Sequence, residues 1–443
     1  MREVNNDRCV RADSRLRVLI VASAVGPQRG SEPGMGWNWI KALSSHHDLW
    51  VITGEREGNR EAIHDALIQE PELHKHLHIT FIPRPDPPRT VKLWPPLYYY
   101  YYRKWHETAF AAAKSLAERV SFDLAHQLNM IGYREPGYLW KLPLPFVWGP
   151  IGGHVQMPWR FLASLGMRDG AFYTCRNLIN AYQMRTARRV KCAIDRASTV
   201  IAATKEDKVA IERFHQREAI LLSETGTVLP DMLPAERTRH DGRPLKICWC
   251  GMFAGRKALP LALRAIARAR QGVTLEFHII GDGPQSGAWR KMATKLGLEK
   301  LCHWHGSVAR DKALSLMGSC DCLLFTSLQE GTPHVVLEAL SLGLPVLCHD
   351  ACGHGESVDE TCGVKIPVRD PQHSIEGFAQ AICRLALDHP LLRKLSEGAR
   401  ARATECSWSR KASQMSEIYQ NVLGGTQSRS WKEGPIVAHQ LIS

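Results

Sequence analysis

The sequence predicts an α/β protein built as two parallel-sheet domains, and three observations carry that prediction. Short apolar runs bounded by turn residues alternate with helical periodicity along most of the chain, the pattern of parallel strands covered on both faces. That pattern lapses once, over 224–244 (ETGTVLPDMLPAERTRHDGRP), into proline, glycine and charge. It then restarts, and 443 residues are too many for one ordinary core.

Taken in order, strands are expected at 17–24, 48–53, 78–82, 122–126, 145–149 and 198–203, which makes 1–223 the first domain. Residues 224–244 are the expected linker. The second domain, 245–407, has expected strands at 245–250, 275–280, 302–306, 322–326 and 345–349, with helices from 256, 286, 310 and 333. Both domains read as Rossmann-like and face one another across a cleft. A last amphipathic helix spans 408–424, and 425–443 is a tail. The run Val18–Val25 follows basic residues and contains Ala22-Ser23-Ala24, as a cleaved leader would, but it is short and leads into a glycine-rich loop and a helix, so it reads as the first strand.

Lys and Arg number 57 against 44 Asp and Glu, a net charge of +13 that suits anionic partners: nucleotide diphosphates, phosphorylated lipids, an anionic membrane surface. Nucleic acid is not expected, because there is no zinc-finger spacing and no basic block. The 13 cysteines include no C-x-x-C pair, and Cys248, Cys250, Cys320 and Cys322 fall in or beside predicted strands, as reduced thiols in a cytoplasmic protein do. No run reaches transmembrane length, so membrane contact would be peripheral. The stretch from Trp94 to Trp105 (WPPLYYYYYRKW) suits either a membrane interface or a buried aromatic helix start lining the cleft.

The chemistry concentrates in 321–350, DCLLFTSLQEGTPHVVLEALSLGLPVLCHD. The apolar run Leu323-Leu324-Phe325 should end at a sheet edge in the loop with Glu330 and Gly331. Thr332 reads as an N-cap and Pro333 as the first helical residue, so the free amides of His334 and Val335 should face a ligand outside the strand ends. A phosphate suits that helix end. Glu338, in the second turn, and Glu330, in the loop, place one fixed and one adjustable carboxylate beside it, suited to sugar and ribose hydroxyls.

These residues resemble the Glu-x7-Glu signature of retaining glycosyltransferases of the GT-B fold, specifically the large family four. The resemblance covers 16 to about 424 and is tightest in the second domain. It implies a nucleotide-sugar donor, a glycan or lipid-linked acceptor, ribose held by Glu338, the donor sugar held by Glu330, and acceptor deprotonation by the departing phosphate. Lys257, after the strand LKICWCG, matches the family lysine that holds the diphosphate. Arg256 stands beside it, whereas Met252 occupies the place where relatives often carry arginine. The loop from Gly26 to Gly34 before GWNWIKAL resembles the one over the diphosphate and acceptor, with Gly30, Ser31, Glu32 and Gly34 as its contact residues. With YREPGYLW and PFVWGPIGG it resembles a bacterial surface-polysaccharide subgroup.

His126 ends the predicted strand FDLAH, where the family commonly places a histidine against the donor sugar, and a structural histidine is the alternative. Gly281-Asp282-Gly283 lacks the spacing of a dinucleotide fingerprint and reads as a loop at the nucleotide base. The chain contains no Asp-x-Asp, so no metal is expected in the reaction. His303 and His305 share one strand face without an evident third ligand, which favours a structural role. The resulting expectation is a hexosyl transfer with retention in exopolysaccharide or lipopolysaccharide synthesis. Two rivals stay open: a sugar-nucleotide epimerase on the same fold, and a non-catalytic nucleotide-sugar-binding subunit, for which Met252 is the best support.

Overall fold

A computed structural model describes residues 15–27, 30–56, 58–84, 95–229 and 243–425. The first domain holds a seven-stranded sheet of β1 (Arg17–Ala22), β2 (Asp48–Glu55), β3 (Leu77–Pro83), β4 (Leu124–Asn129), β5 (Phe146–Ile151), β6 (Thr199–Ala202) and β7 (Ile220–Leu221). The second holds a six-stranded sheet of β8 (Leu245–Cys250), β9 (Leu275–Ile280), β10 (Cys302–Gly306), β11 (Cys322–Phe325), β12 (Val346–His349) and β13 (Gly363–Ile366). The spatial orders are 3-2-1-4-5-6-7 and 10-9-8-11-12-13, both reversing direction beside the first strand of the domain. Ligands bind outside the carboxyl ends of such sheets at that reversal, between β8 and β11 in the second domain. Every predicted strand is present; the short β7 and the edge strand β13 carry too few apolar residues to announce themselves.

Each sheet is buried on both faces. In the second domain Ile247, Trp249, Phe277 and Ile279 pack on one side with the helices Leu259–Ala269 and Pro371–Leu387. Cys248, Leu323 and Phe325 pack on the other with helix His334–Ser341. The last helix, Trp408–Leu423, returns to the first domain, where Trp408 meets Trp39 edge-on at 5.5 Å and Ser416 meets His47 Nε2 at 2.8 Å.

Several expectations are corrected. The linker does not begin as a loose strap, because Glu224, Thr225 and Thr227 are buried and Thr227 bridges Ser407; residues 230–242 lie outside the described residues. The first-domain helix starts at Ser31 rather than after Gly34, with Gly30 as its N-cap. The helix after β11 starts at His334, with Pro333 at the N-cap and Thr332 engaged elsewhere. Lys257 closes a short 3-10 turn, Gly255–Lys257, and the helix follows only at Leu259. In the aromatic stretch, Trp94 lies outside the described residues, while Tyr102 and Trp105 are core side chains: Arg84 sits 4.1 Å over the Tyr102 ring and Trp105 Nε1 donates to the Ile82 carbonyl at 3.3 Å. The described cysteines are free thiols, and no described helix is long and apolar enough to cross a membrane.

Candidate donor-binding site

The loops after β8 and β11 are sewn together by the polar residues that end the apolar run of β11. Thr326 Oγ1 donates to the Lys257 and Ala258 carbonyls at 3.0 and 3.1 Å, and accepts from Trp249 Nε1 at 3.2 Å. The Leu328 amide donates to the Arg256 carbonyl at 2.8 Å. These bonds fix Arg256 and Lys257 against Glu330.

Three donors converge on Glu330 Oε1: Lys257 Nζ at 2.7 Å, Ser327 Oγ at 2.6 Å, and Arg256 Nη1. Arg256 Nη1 also donates to the Gln329 carbonyl at 3.2 Å. Burial alone would raise the Glu330 carboxyl, but the Lys257 and Arg256 charges outweigh it and hold the group below its ordinary value. Burial lowers the Lys257 ammonium, and Glu330 beside it only partly offsets that. Lys257 Nζ lies 5.2 Å over the Phe325 ring, the last residue of β11. Two cations and one carboxylate leave a net positive, largely dehydrated spot, where an anion is attracted more strongly than in water.

Helix His334–Ser341 begins four residues after Glu330, with Val336 N already bonded to the Pro333 carbonyl at 3.1 Å and its first amides left without helical partners. Its Glu338 is held by Arg310, whose Nε and Nη2 donate to Oε1 at 2.9 and 2.8 Å. Gly281 and Gly283, after β9, pack on the loop after β8 at Gly251 and Phe253, with φ +132 and +156. A Cβ on Gly281 would stand 2.0 Å from the Gly251 carbonyl oxygen, so only glycine lets the two loops approach. Asp282 is exposed and its carboxylate accepts from the Gly283 amide at 2.8 Å.

Two groups were not foreseen. Glu224, in the expected linker, is buried and takes the Thr332 amide on Oε1 at 2.6 Å and the Thr332 hydroxyl on Oε2 at 2.9 Å. Its own carbonyl accepts from Trp39 Nε1 at 2.7 Å, so one residue ties the first-domain helix to the loop that carries Glu330 and Gly331. A Cβ on Gly331 would stand 2.3 Å from Glu224 Oε1. The other is Arg310, a cation in a first helical turn, where the helix dipole disfavours it; that oddity was the available signal. Nothing in the local sequence marks Glu224.

The first domain meets this loop directly. Gln329 Nε2 donates to the Val155 carbonyl at 2.6 Å, Arg176 bonds Gln329 Oε1, and the Cys352 amide donates to Glu206 at 2.7 Å. Ser31 and Gly34 lie in the first turn of their helix, and Glu32 Oε1 accepts the Ile131 amide at 3.0 Å, with burial raising its carboxyl. Gln28 and Arg29 of that loop lie outside the described residues. His126 is corrected: β4 runs on to Asn129, and the fully buried ring is spent on Tyr419 Oη and the Gly149 carbonyl, each at 2.6 Å. It ties the last helix to the first sheet, away from the strand ends.

Residues 235–402 match the family model described as Glycosyl transferases group 1. The alpha-D-kanosaminyltransferase of Streptomyces kanamyceticus is 27% identical over 42% of this chain and 48% of its own length. The lipopolysaccharide glucosyltransferase WaaG of Escherichia coli K12 is 30% identical over 34% of this chain and 39% of its own. The chain thus spans less than two thirds of these relatives. The crystal structure of Anabaena HepE in complex with UDP and glucose is similar with TM-score 0.55 at 15% identity, covering 92% of this chain and all of that one. The second domain is thus similar to a glycosyl transferases group 1 domain, and the chain has the two-domain GT-B fold.

Proposed function

We propose that the protein is a retaining glycosyltransferase that moves a sugar from a nucleotide-sugar donor to a hydroxyl of a glycan or lipid-linked acceptor in surface-polysaccharide assembly. The observation that carries this reading is the Lys257–Glu330–Arg256 cluster at the loop that leads into helix His334–Ser341. In this reading Lys257 and the helix amides receive the diphosphate, whose charge grows as the glycosidic bond breaks. Arg256 supplies the second cation that Met252, exposed in the preceding loop, does not. Glu338, braced by Arg310, holds ribose, and Glu330 faces the sugar. The glucose and UDP bound by the Anabaena structure support a nucleotide-sugar donor of this kind. Mass spectrometry of the lipid-linked oligosaccharides in cells lacking the protein tests the reading. A species shorter by one sugar is expected, and an unchanged oligosaccharide profile would overturn it. Incubation with donor alone should leave the sugar configuration intact; an isomerised sugar would favour an epimerase.

Transfer needs no metal in this reading, since two cations and a helix end neutralise the leaving group. Initial rates should be equal with and without EDTA. Loss of turnover restored by manganese or magnesium would contradict that.

An anionic membrane surface is part of the proposal. Tyr102 and Trp105 are in the core, while Tyr100, Arg103 and Lys104 beside them are exposed; a further contact is helix Met167–Thr186, where Phe172, Leu178, Ile179 and Tyr182 are exposed at helical spacing near exposed Arg168, Arg185 and Arg188. Each such cation contributes about 1 kcal/mol near an anionic leaflet. Sedimentation with anionic vesicles, reduced in high salt and in Phe172→Ser, is expected; equal partition onto neutral vesicles would exclude the electrostatic part.

A further inference from the structure

We propose a zinc-class divalent cation site on the second sheet, formed by Glu276, His278 and His303, with His305 as the partner that orients His278. It does not rest on the reading of the donor cleft: its ligands lie within β9 and the edge strand β10, whereas the donor loops follow the carboxyl ends of β8, β9 and β11.

The parallel register sets His303 directly opposite His278. Glu276 and His305 stand two residues along their own strands and therefore on the same face. One ligand atom from each of Glu276, His278 and His303 lies within 4.8 Å of the others. His278 Nε2 is buried without a hydrogen-bond partner among the described residues, and it stands 3.5 Å from Glu276 Oε2. Two ligands that each lie 2.0–2.2 Å from a tetrahedral ion are about 3.3–3.6 Å apart, so the separation suits two ligands of one ion.

The other nitrogen of His278 completes the argument. Nδ1 lies 3.1 Å from His305 Nε2. If Nδ1 carries the proton and donates to His305, the lone pair of Nε2 faces Glu276. Metal-binding histidines are normally oriented by such an outer hydrogen bond. His303 is exposed and stacks on His278 at 4.8 Å, which leaves a path for an ion from solvent. Lys246 Nζ now stands 3.5 Å from Glu276 Oε2; both side chains are about a third exposed, so the lysine can swing outward as an ion enters. The two nitrogens and one oxygen are a donor set for zinc rather than calcium or magnesium, with water completing four ligands. The ion would pin the edge strand to its neighbour.

The two histidines visible from sequence on β10 lacked a third ligand because Glu276 and His278 come from another strand. Calorimetric titration of the EDTA-treated, dialysed full-length protein with zinc chloride tests the site, with His303→Ala and Glu276→Gln alongside. His303 is exposed and the glutamate change is isosteric, so both variants should fold, which circular dichroism checks. One saturable ion per chain is expected, weakened by about tenfold or more in each variant, with a rise in Tm on adding zinc that His303→Ala loses. Tetrahedral cobalt absorption in the wild type that disappears in both variants would support the same ligands. Absence of saturable binding at one ion per chain, or equal affinity in all three proteins, would overturn the proposal.

Discussion

Lys257→Ala should weaken the binding of a nucleoside diphosphate by roughly 1.5–3 kcal/mol, the worth of a charge-assisted contact, or on the order of 10- to 100-fold in Kd. Turnover should fall at least as far, because the charge on the leaving diphosphate is larger in the transition state than in the bound donor. Stability should drop as well. The Lys257 side chain is buried against Glu330 and Phe325. Its removal leaves Glu330 with Arg256 as its remaining basic partner in the cluster. Thermal unfolding read beside calorimetry separates the two effects, since the affinity loss must persist well below Tm. Wild-type affinity in this variant would mean that the phosphate binds elsewhere.

Glu224→Ala should lower kcat/KM by about 10- to 100-fold, the scale expected when a catalytic loop shifts by about 1 Å. Both carboxylate oxygens are engaged by Thr332, one residue beyond Gly331 and two beyond Glu330. Truncation strands a buried amide and a hydroxyl, at about 1–3 kcal/mol of stability, and frees the loop from the first-domain helix to which Trp39 ties it. Glu224 does not itself face the donor, so its role is positioning, and a donor KM that rises while the fold is intact distinguishes that from general destabilisation. Glu224→Gln should recover part of the loss, because its carbonyl oxygen can still accept the Thr332 amide. If Glu224→Ala retains wild-type kcat/KM below its Tm, the loop is held by other means.

The second domain was more legible than the first. Its strands are continuous apolar runs, and Glu330, the helix with its free amides, and Glu338 follow one another within a single strand-loop-helix unit, so local sequence order is also spatial order. Lys257 was legible for the same reason, as the end of the loop after β8. Contacts that cross elements were not. Glu224 reaches Thr332 over 108 positions, and Arg310 reaches Glu338 over 28. His126 misled because alternation along β4 says which face a side chain takes, while the end of the strand was misjudged by three residues. The aromatic and basic stretch left a membrane edge and a buried helix start both open; Tyr102 and Trp105 point inward, with Arg84 covering one of them, while Tyr100 is exposed.

The measurement that bears most directly on the proposed donor site is calorimetric titration of the wild type, Glu338→Gln and Glu330→Gln with UDP, GDP and ADP, read beside donor-saturation kinetics. Glu338, fixed on its helix by Arg310, should bind ribose equally in ground and transition states, which sets affinity. Glu330 should act mainly on the charge that develops on the sugar. The account predicts saturable one-to-one binding of at least one of the three diphosphates, weakened in Glu338→Gln, and nearly intact in Glu330→Gln while its kcat falls. Absence of saturable binding of any of them to the wild type, or binding and turnover untouched by both substitutions, would contradict it.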